Sequence, residues 1–219
     1  MAAQPATLQR DNGAAIAYHH SGGDGPGVLF CTGFKSDMTG TKAVALEADC
    51  RARGQQFTRF DYQGHGQSSG AFVDGTIGEW LADTLAVLDS VTSGPQVIVG
   101  SSMGGWIALL AARARPDRVA GVVGIAAALD MARRIWERID DATRRLLETE
   151  GVWIRPSEYD PAGYEITMKL IEEGRKHLLL PGPIPFTGPV RLLHGQRDDA
   201  VPWELSLETA AALESEAVE

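Results

Sequence analysis

Six apolar runs, at residues 14–18, 28–32, 57–62, 96–100, 119–126 and 190–194, alternate with longer segments of helical period. That alternation constrains the fold more than any other feature. Parallel strands need a crossover connection between them, usually a helix, so repeated strand–helix units point to a mostly parallel sheet. The helical segments fall at 41–53, 77–91 and 103–115. The last ends before Pro116, which disfavours helical geometry at the residue preceding it. A further helix is expected to start near Pro202 and to bury Trp203, Leu207, Ala210 and Ala211 on one face.

The segment 129–189 breaks the rhythm, because it holds no clear strand. Met131, Ile135, Ile139, Ala142 and Leu146 recur at spacings of 4, 4, 3 and 4, which predicts one amphipathic helix. A second helix is expected over 164–177, followed by an extended connection through Pro181, Pro183, Pro185 and Pro189. About 60 residues bury a weak core by themselves, so the segment reads as a cap inserted into a single domain spanning 1–219. Trp136, Trp153, Tyr159 and Tyr164 lie in it, and helix packing is the ordinary role for such side chains.

Charge narrows the function classes. With 20 basic against 29 acidic residues, the formal charge of −9 lacks the basic surplus that phosphate backbones demand, so no nucleic-acid partner is expected. No apolar run reaches the roughly 18 residues of a membrane span, and residues 1–20 show no leader pattern. The two cysteines, Cys31 and Cys50, read as reduced thiols in a cytoplasmic protein. No spacing of His, Cys and carboxylates suggests a metal site, and nothing in the sequence bears on oligomeric state.

The chemistry concentrates at Gly100-Ser101-Ser102-Met103-Gly104, which fits G-x-S-x-G between the 96–100 run and the helix that follows. A nucleophile elbow requires that context: the serine sits on a strained strand-to-helix turn, and the glycines let neighbouring backbones approach. Ser102 is the expected nucleophile. The N–H of Met103, at a helix N-terminus, and that of Phe34, after the 28–32 run, are the expected oxyanion donors. Asp198 is the favoured triad acid, with Asp199 and Asp130 as rivals and a turn-capping carboxylate as the ordinary alternative. The Gly-rich loop 61–68 reads as a turn lining the pocket.

A serine nucleophile needs a base, and in this architecture the order is Ser, Asp or Glu, then His. No histidine follows Asp198; all five (19, 20, 65, 177 and 194) precede it. His65 is a possible substitute base, His194 is expected to be hydrogen-bonded at a strand end, and His177 to face solvent.

With these residues in view, the sequence resembles the α/β-hydrolases. More narrowly, it resembles bacterial relatives of α/β-hydrolase domain-containing protein ten, a group of palmitoyl-protein thioesterases and acyl-glucuronide esterases. The similarity is carried by residues 33–43, the 61–68 loop, residues 100–105, 166–180 and 193–202. It implies a mostly parallel twisted sheet with helices on both faces and a small helical cap, about 129–189, after the sixth strand. It implies Ser102 as nucleophile, Asp198 as acid, and Phe34 and Met103 as oxyanion donors. Family members continue into a strand and a Gly-Asp-His segment that supplies the base, so the last strand is expected to be missing here, leaving the edge of the 190–194 strand bare.

Two functions compete on this reading. The first is a cofactor-free serine esterase or thioesterase acting on small-molecule or acylated-protein substrates. The second is a non-catalytic acyl- or small-ligand-binding protein on the same scaffold, with lipase-like or haloperoxidase-like activity as variants of the first.

Overall fold

A computed structural model describes residues 4–157 and 161–219. Its seven-stranded sheet runs β1 (Ala6–Gln9), β2 (Ala15–Ser21), β4 (Gln55–Phe60), β3 (Asp24–Cys31), β5 (Gln96–Ser101), β6 (Val119–Ile125) and β9 (Val190–Leu193) in spatial order. The β1–β2 and β2–β4 pairs are antiparallel, and all others are parallel. The six apolar runs each become a strand. The seventh, β1, is short and mostly exposed at the sheet edge, so it carries no hydrophobic signal.

Period-two alternation sorts the side chains of the central strands to opposite faces. On β3, Val28 and Phe30 pack with Ala43, Cys50 and Phe57 under α1 (Thr41–Ala52), while Leu29 and Cys31 join the larger core. That larger core holds α2 (Ile77–Ser90) and α3 (Met103–Ala114). Residues 103–112 of α3 are all buried, which explains why this helix is apolar around its whole circumference. Cys31 and Cys50 are free thiols in separate clusters, and burial pushes Cys31 up to about 12.

The 129–189 segment differs from expectation in three places. The single amphipathic helix is two, α4 (Met131–Arg138) and α5 (Asp141–Glu150). The break is made by Asp140, whose side chain accepts the Thr143 N–H as an N-cap, a stronger local signal than the apolar spacing running through it. A two-stranded antiparallel sheet follows, β7 (Val152–Arg155) with β8 (Tyr164–Thr167), where no strand was expected. The predicted 164–177 helix is therefore shortened to α6 (Met168–Gly174) plus a 3-10 turn, its start set by the Thr167 side chain accepting the Leu170 N–H.

Two corrections fall near the C-terminal end. The last helix, α7 (Glu204–Ala212), buries Leu205 and Thr209, and Leu207 is 59% exposed. The face is thus rotated from the expected one. The edge of β9 is also not bare: Val190 donates to Ala217 O, Glu219 to Val190 O and Leu192 to Glu219 O. Residues 217–219 therefore begin a parallel pairing in the position of an eighth strand, against the expectation of an empty edge.

Candidate active site

The G-x-S-x-G residues join β5 to α3. Ser102 adopts φ 54°, ψ −121°, a conformation costly for any residue with a Cβ, and it is held there by bonds on both sides. Its N–H donates to Ile125 O at 2.9 Å, and its carbonyl accepts the N–H of Ala128 at 3.0 Å and of Gly105 at 2.9 Å. The glycines are dictated by close approach: a Cβ on Gly100 would lie 2.2 Å from Gly104 O, and one on Gly104 would lie 2.1 Å from Cys31 O. These contacts press α3 onto the C-terminal ends of β3 and β5, so the elbow opens at the edge where ligands of such sheets bind.

A cleft of about 1400 Å³ opens above Ser102. Its walls include Gly33, Phe34, Met131, Ile135, Trp153, Tyr164, Asp198 and Leu205. A Cβ on Gly33 would be 3.5 Å from the Cβ of Ser102, so the loop after β3 abuts the elbow. Among the described residues, the N–H groups of Phe34 and Met103 donate to no protein acceptor. Arg134, Arg138 and Arg155 also line the cleft. Trp136 does not; it packs against the guanidinium groups of Arg144 and Arg175. Tyr159 lies outside the described residues.

Asp198 follows β9 and lines the cleft. Its Oδ1 accepts the N–H groups of Ala200 (2.9 Å) and Val201 (2.8 Å), so the turn-capping role is present and orients the carboxylate. Its rival Asp199 is exposed. Asp130, the other rival, is fully buried and committed elsewhere: it accepts the N–H groups of Leu179 at 2.8 Å and Leu180 at 3.0 Å and pairs with Arg133. It fastens the end of the 129–189 segment to the residues after β6. Burial raises its pKa, opposed by those N–H donors.

None of the five histidines hydrogen-bonds Ser102. His65 is enclosed by Tyr62, Phe72 and Trp80, with ring centroids 5.1–5.5 Å away. Its Nε2 accepts the backbone N–H of Lys35 at 3.3 Å, and its Nδ1 donates to Gln63 O. Burial brings its pKa down to about 4, so it stays neutral and supports the loop after β3. His194 uses both ring nitrogens, toward Ser206 Oγ and Val201 O, as expected of a strand-end residue. His177 is not solvent-facing as predicted; it is mostly buried and pairs with Glu173, whose other oxygen accepts the Gly78 N–H. His19 and His20 sit on β2, three strands from β5.

The 61–68 loop forms the structural turn expected, but it does not line the cleft above Ser102; Gly64, His65 and Gly66 border a separate small cavity with Lys35, Asp37 and Phe72. Asp61 accepts the N–H groups of Met38 and Gln67, tying this loop to the residues after Phe34. A Cβ on Gly66 would strike that carboxylate. One pairing near the site has no signal in the sequence and emerges only here: the side chains of Lys35 and Glu165 meet at 2.6 Å across 130 positions.

Comparison with known proteins fits this geometry. The family model for serine aminopeptidase, S33, matches residues 27–178. Palmitoyl-protein thioesterase ABHD10, mitochondrial, of Mus musculus is 45% identical over 204 residues, covering 93% of this chain and 69% of the mouse protein. The solved structure of α/β-hydrolase domain-containing protein 10 from mouse superposes with a TM-score of 0.92 at 42% identity, over 99% of this chain and 87% of that one. A structure from Agrobacterium vitis S4 gives the same TM-score at 36% identity, over 98% and 86%. The mouse thioesterase is named as mitochondrial, which overturns the expectation of a cytoplasmic protein. Buried free thiols report inaccessibility or a reducing medium, neither of which identifies a compartment.

Proposed function

The chain belongs to the serine aminopeptidase S33 family of the α/β-hydrolase superfamily and is a relative of the ABHD10 thioesterases, and from that premise we propose that it cleaves carboxylic esters or acyl thioesters through an acyl-enzyme on Ser102. The observation that carries this reading is Ser102 held at positive φ beneath an open cleft, next to two backbone N–H groups with no protein acceptor among the described residues.

In the reaction, Ser102 Oγ attacks the acyl carbon while a general base takes its proton. The carbonyl π pair moves onto oxygen, and the N–H groups of Phe34 and Met103 stabilise the oxyanion. Collapse expels the alkoxide or thiolate, which receives the proton, and water repeats the sequence to release the acid. Asp198 orients the base and stabilises its positive charge. Acyl transfer by this route needs no cofactor. The 129–189 segment acts as a cap, and Met131, Ile135, Trp153 and Tyr164 offer the acyl chain an apolar wall. The substrate is an acylated small molecule or protein.

The base is assigned to a histidine outside these 219 residues. Support comes from the five present: His65, His177 and His194 are engaged elsewhere, and His19 and His20 lie on a distant strand. The mouse chain, of which this one covers 87%, has further residues that could carry it.

The test is intact-mass spectrometry after a fluorophosphonate probe, with Ser102→Ala as control and circular dichroism to verify folding. A chain extended along the natural coding sequence should label at Ser102, and the 219-residue chain far more slowly. Equal labelling of both would reject the external base. A folded extended chain that binds acyl ligands yet never labels would establish the binding-protein reading instead.

A further inference from the structure

Lys35 directly follows the proposed oxyanion donor Phe34, and its backbone lies in the left-handed region at φ 54°. It is the third residue of a turn closed by the Ser36 N–H on Gly33 O at 3.2 Å. Glycine or asparagine adopts that conformation at less cost than lysine, so the side chain must supply something that outweighs the strain.

The side chain crosses to the cap. Its ammonium donates to Gly163 O at 3.0 Å and to Glu165 Oε2 at 2.6 Å, both on the β7–β8 hairpin or its turn. It also stands 5.7 Å from the Phe72 ring centroid and 5.9 Å from that of Tyr164. Alongside, the Phe34 ring meets Tyr164 edge-on at 6.0 Å and Phe72 at 4.9 Å. From below, His65 accepts the Lys35 N–H. The two-residue stretch 34–35 is therefore gripped by the hairpin on one side and by the 61–68 loop on the other.

We infer that Lys35 is a positioning residue that couples the cap to the oxyanion loop: the docked β7–β8 hairpin, held through Glu165 and Gly163, keeps the Phe34 N–H aligned on Ser102. The inference rests on the proposed use of that N–H in catalysis. Its physical content is narrower, namely that loop 33–38 and hairpin 163–167 order together. Trp153 and Tyr164, which line the cleft, sit on the same hairpin, so an acyl chain packed against them is felt at Phe34.

Hydrogen–deuterium exchange tests the coupling without any need for turnover. The wild-type chain is compared with Lys35→Met, which keeps the apolar stem, with Glu165→Gln, and with the double variant. Each single variant should speed exchange in both 33–38 and 163–167 by about fivefold or more, the scale of a local opening, with α3 unchanged. The double variant should add little, and Lys35→Arg should restore protection. Glu165→Gln lies on the more exposed partner and carries the test alone if Lys35→Met does not fold. Faster exchange confined to 163–167, with 33–38 unchanged, would overturn the inference. Fluorophosphonate labelling of the extended chain supplies the second readout, which should slow in parallel with the loss of protection. If the extended wild-type chain does not label, the proposed function fails while the exchange result still decides the coupling.

Discussion

The imidazole of His65 accepts the backbone N–H of Lys35 at 3.3 Å inside a box of three aromatic rings. A histidine that holds a loop by accepting an N–H must be neutral at the accepting nitrogen. Its folded pKa of about 4, against an ordinary 6.5, means the unfolded chain binds a proton in that interval that the folded chain does not. His65 thus makes stability rise with pH across the window.

Asp83 runs the other way. Burial lifts it from 3.8 to about 6, partly offset by the Gln63 N–H and Arg10, so the folded chain keeps a proton that the unfolded chain has released. Its contribution falls as pH rises through that interval. Each effect spans roughly 3 kcal/mol at 1.36 kcal/mol per pKa unit, so the two nearly cancel. His65→Phe should leave an unfolding free energy that declines with pH between about 4 and 6, and Asp83→Asn one that climbs. Urea titrations across the window check this; two parallel curves would show that neither group is shifted.

Asp130→Ala should cost about 3 kcal/mol, because it leaves the buried N–H groups of Leu179 and Leu180 without an acceptor. It should not slow phosphonate labelling of an extended chain once the rate is corrected for the folded fraction. A large loss of labelling with unchanged melting would instead make Asp130 the triad acid in place of Asp198.

Gly104→Ala should destabilise by about 3 kcal/mol or more, since overpacking against backbone cannot be relieved by a rotamer change. Gly22→Ala, where a Cβ would meet nothing within 4 Å, is the control and should stay near neutral. The comparison is made by thermal melts. A tolerated Gly104→Ala would mean that α3 sits farther from β3 than the 2.1 Å approach implies.

On α7, Leu205→Ala should cost about 2–4 kcal/mol, and Leu207→Ala less than about 0.5. Denaturant midpoints separate the two. Equal losses would restore the helical face expected from the apolar spacing.

What the sequence by itself determined is local. Apolar runs of strand length, the proline after α3 and the glycines around Ser102 act on their immediate neighbours, so the six core strands, the first three helices and the elbow follow from the order of residues. Even the α4–α5 break was written locally, in the Asp140 cap, though the continuous apolar spacing masks it. What only the tertiary structure decided is long-range partnership. Asp130 could be an acid or a strap until Leu179 and Leu180 stand 49 and 50 positions away in chain and at hydrogen-bond distance in space. His65 could be a base until three aromatic rings and the Lys35 amide enclose it. The pairing of Lys35 with Glu165 carries no signal, because an ion pair spanning 130 residues leaves no period in the sequence and exists only once the sheet brings loop and hairpin together.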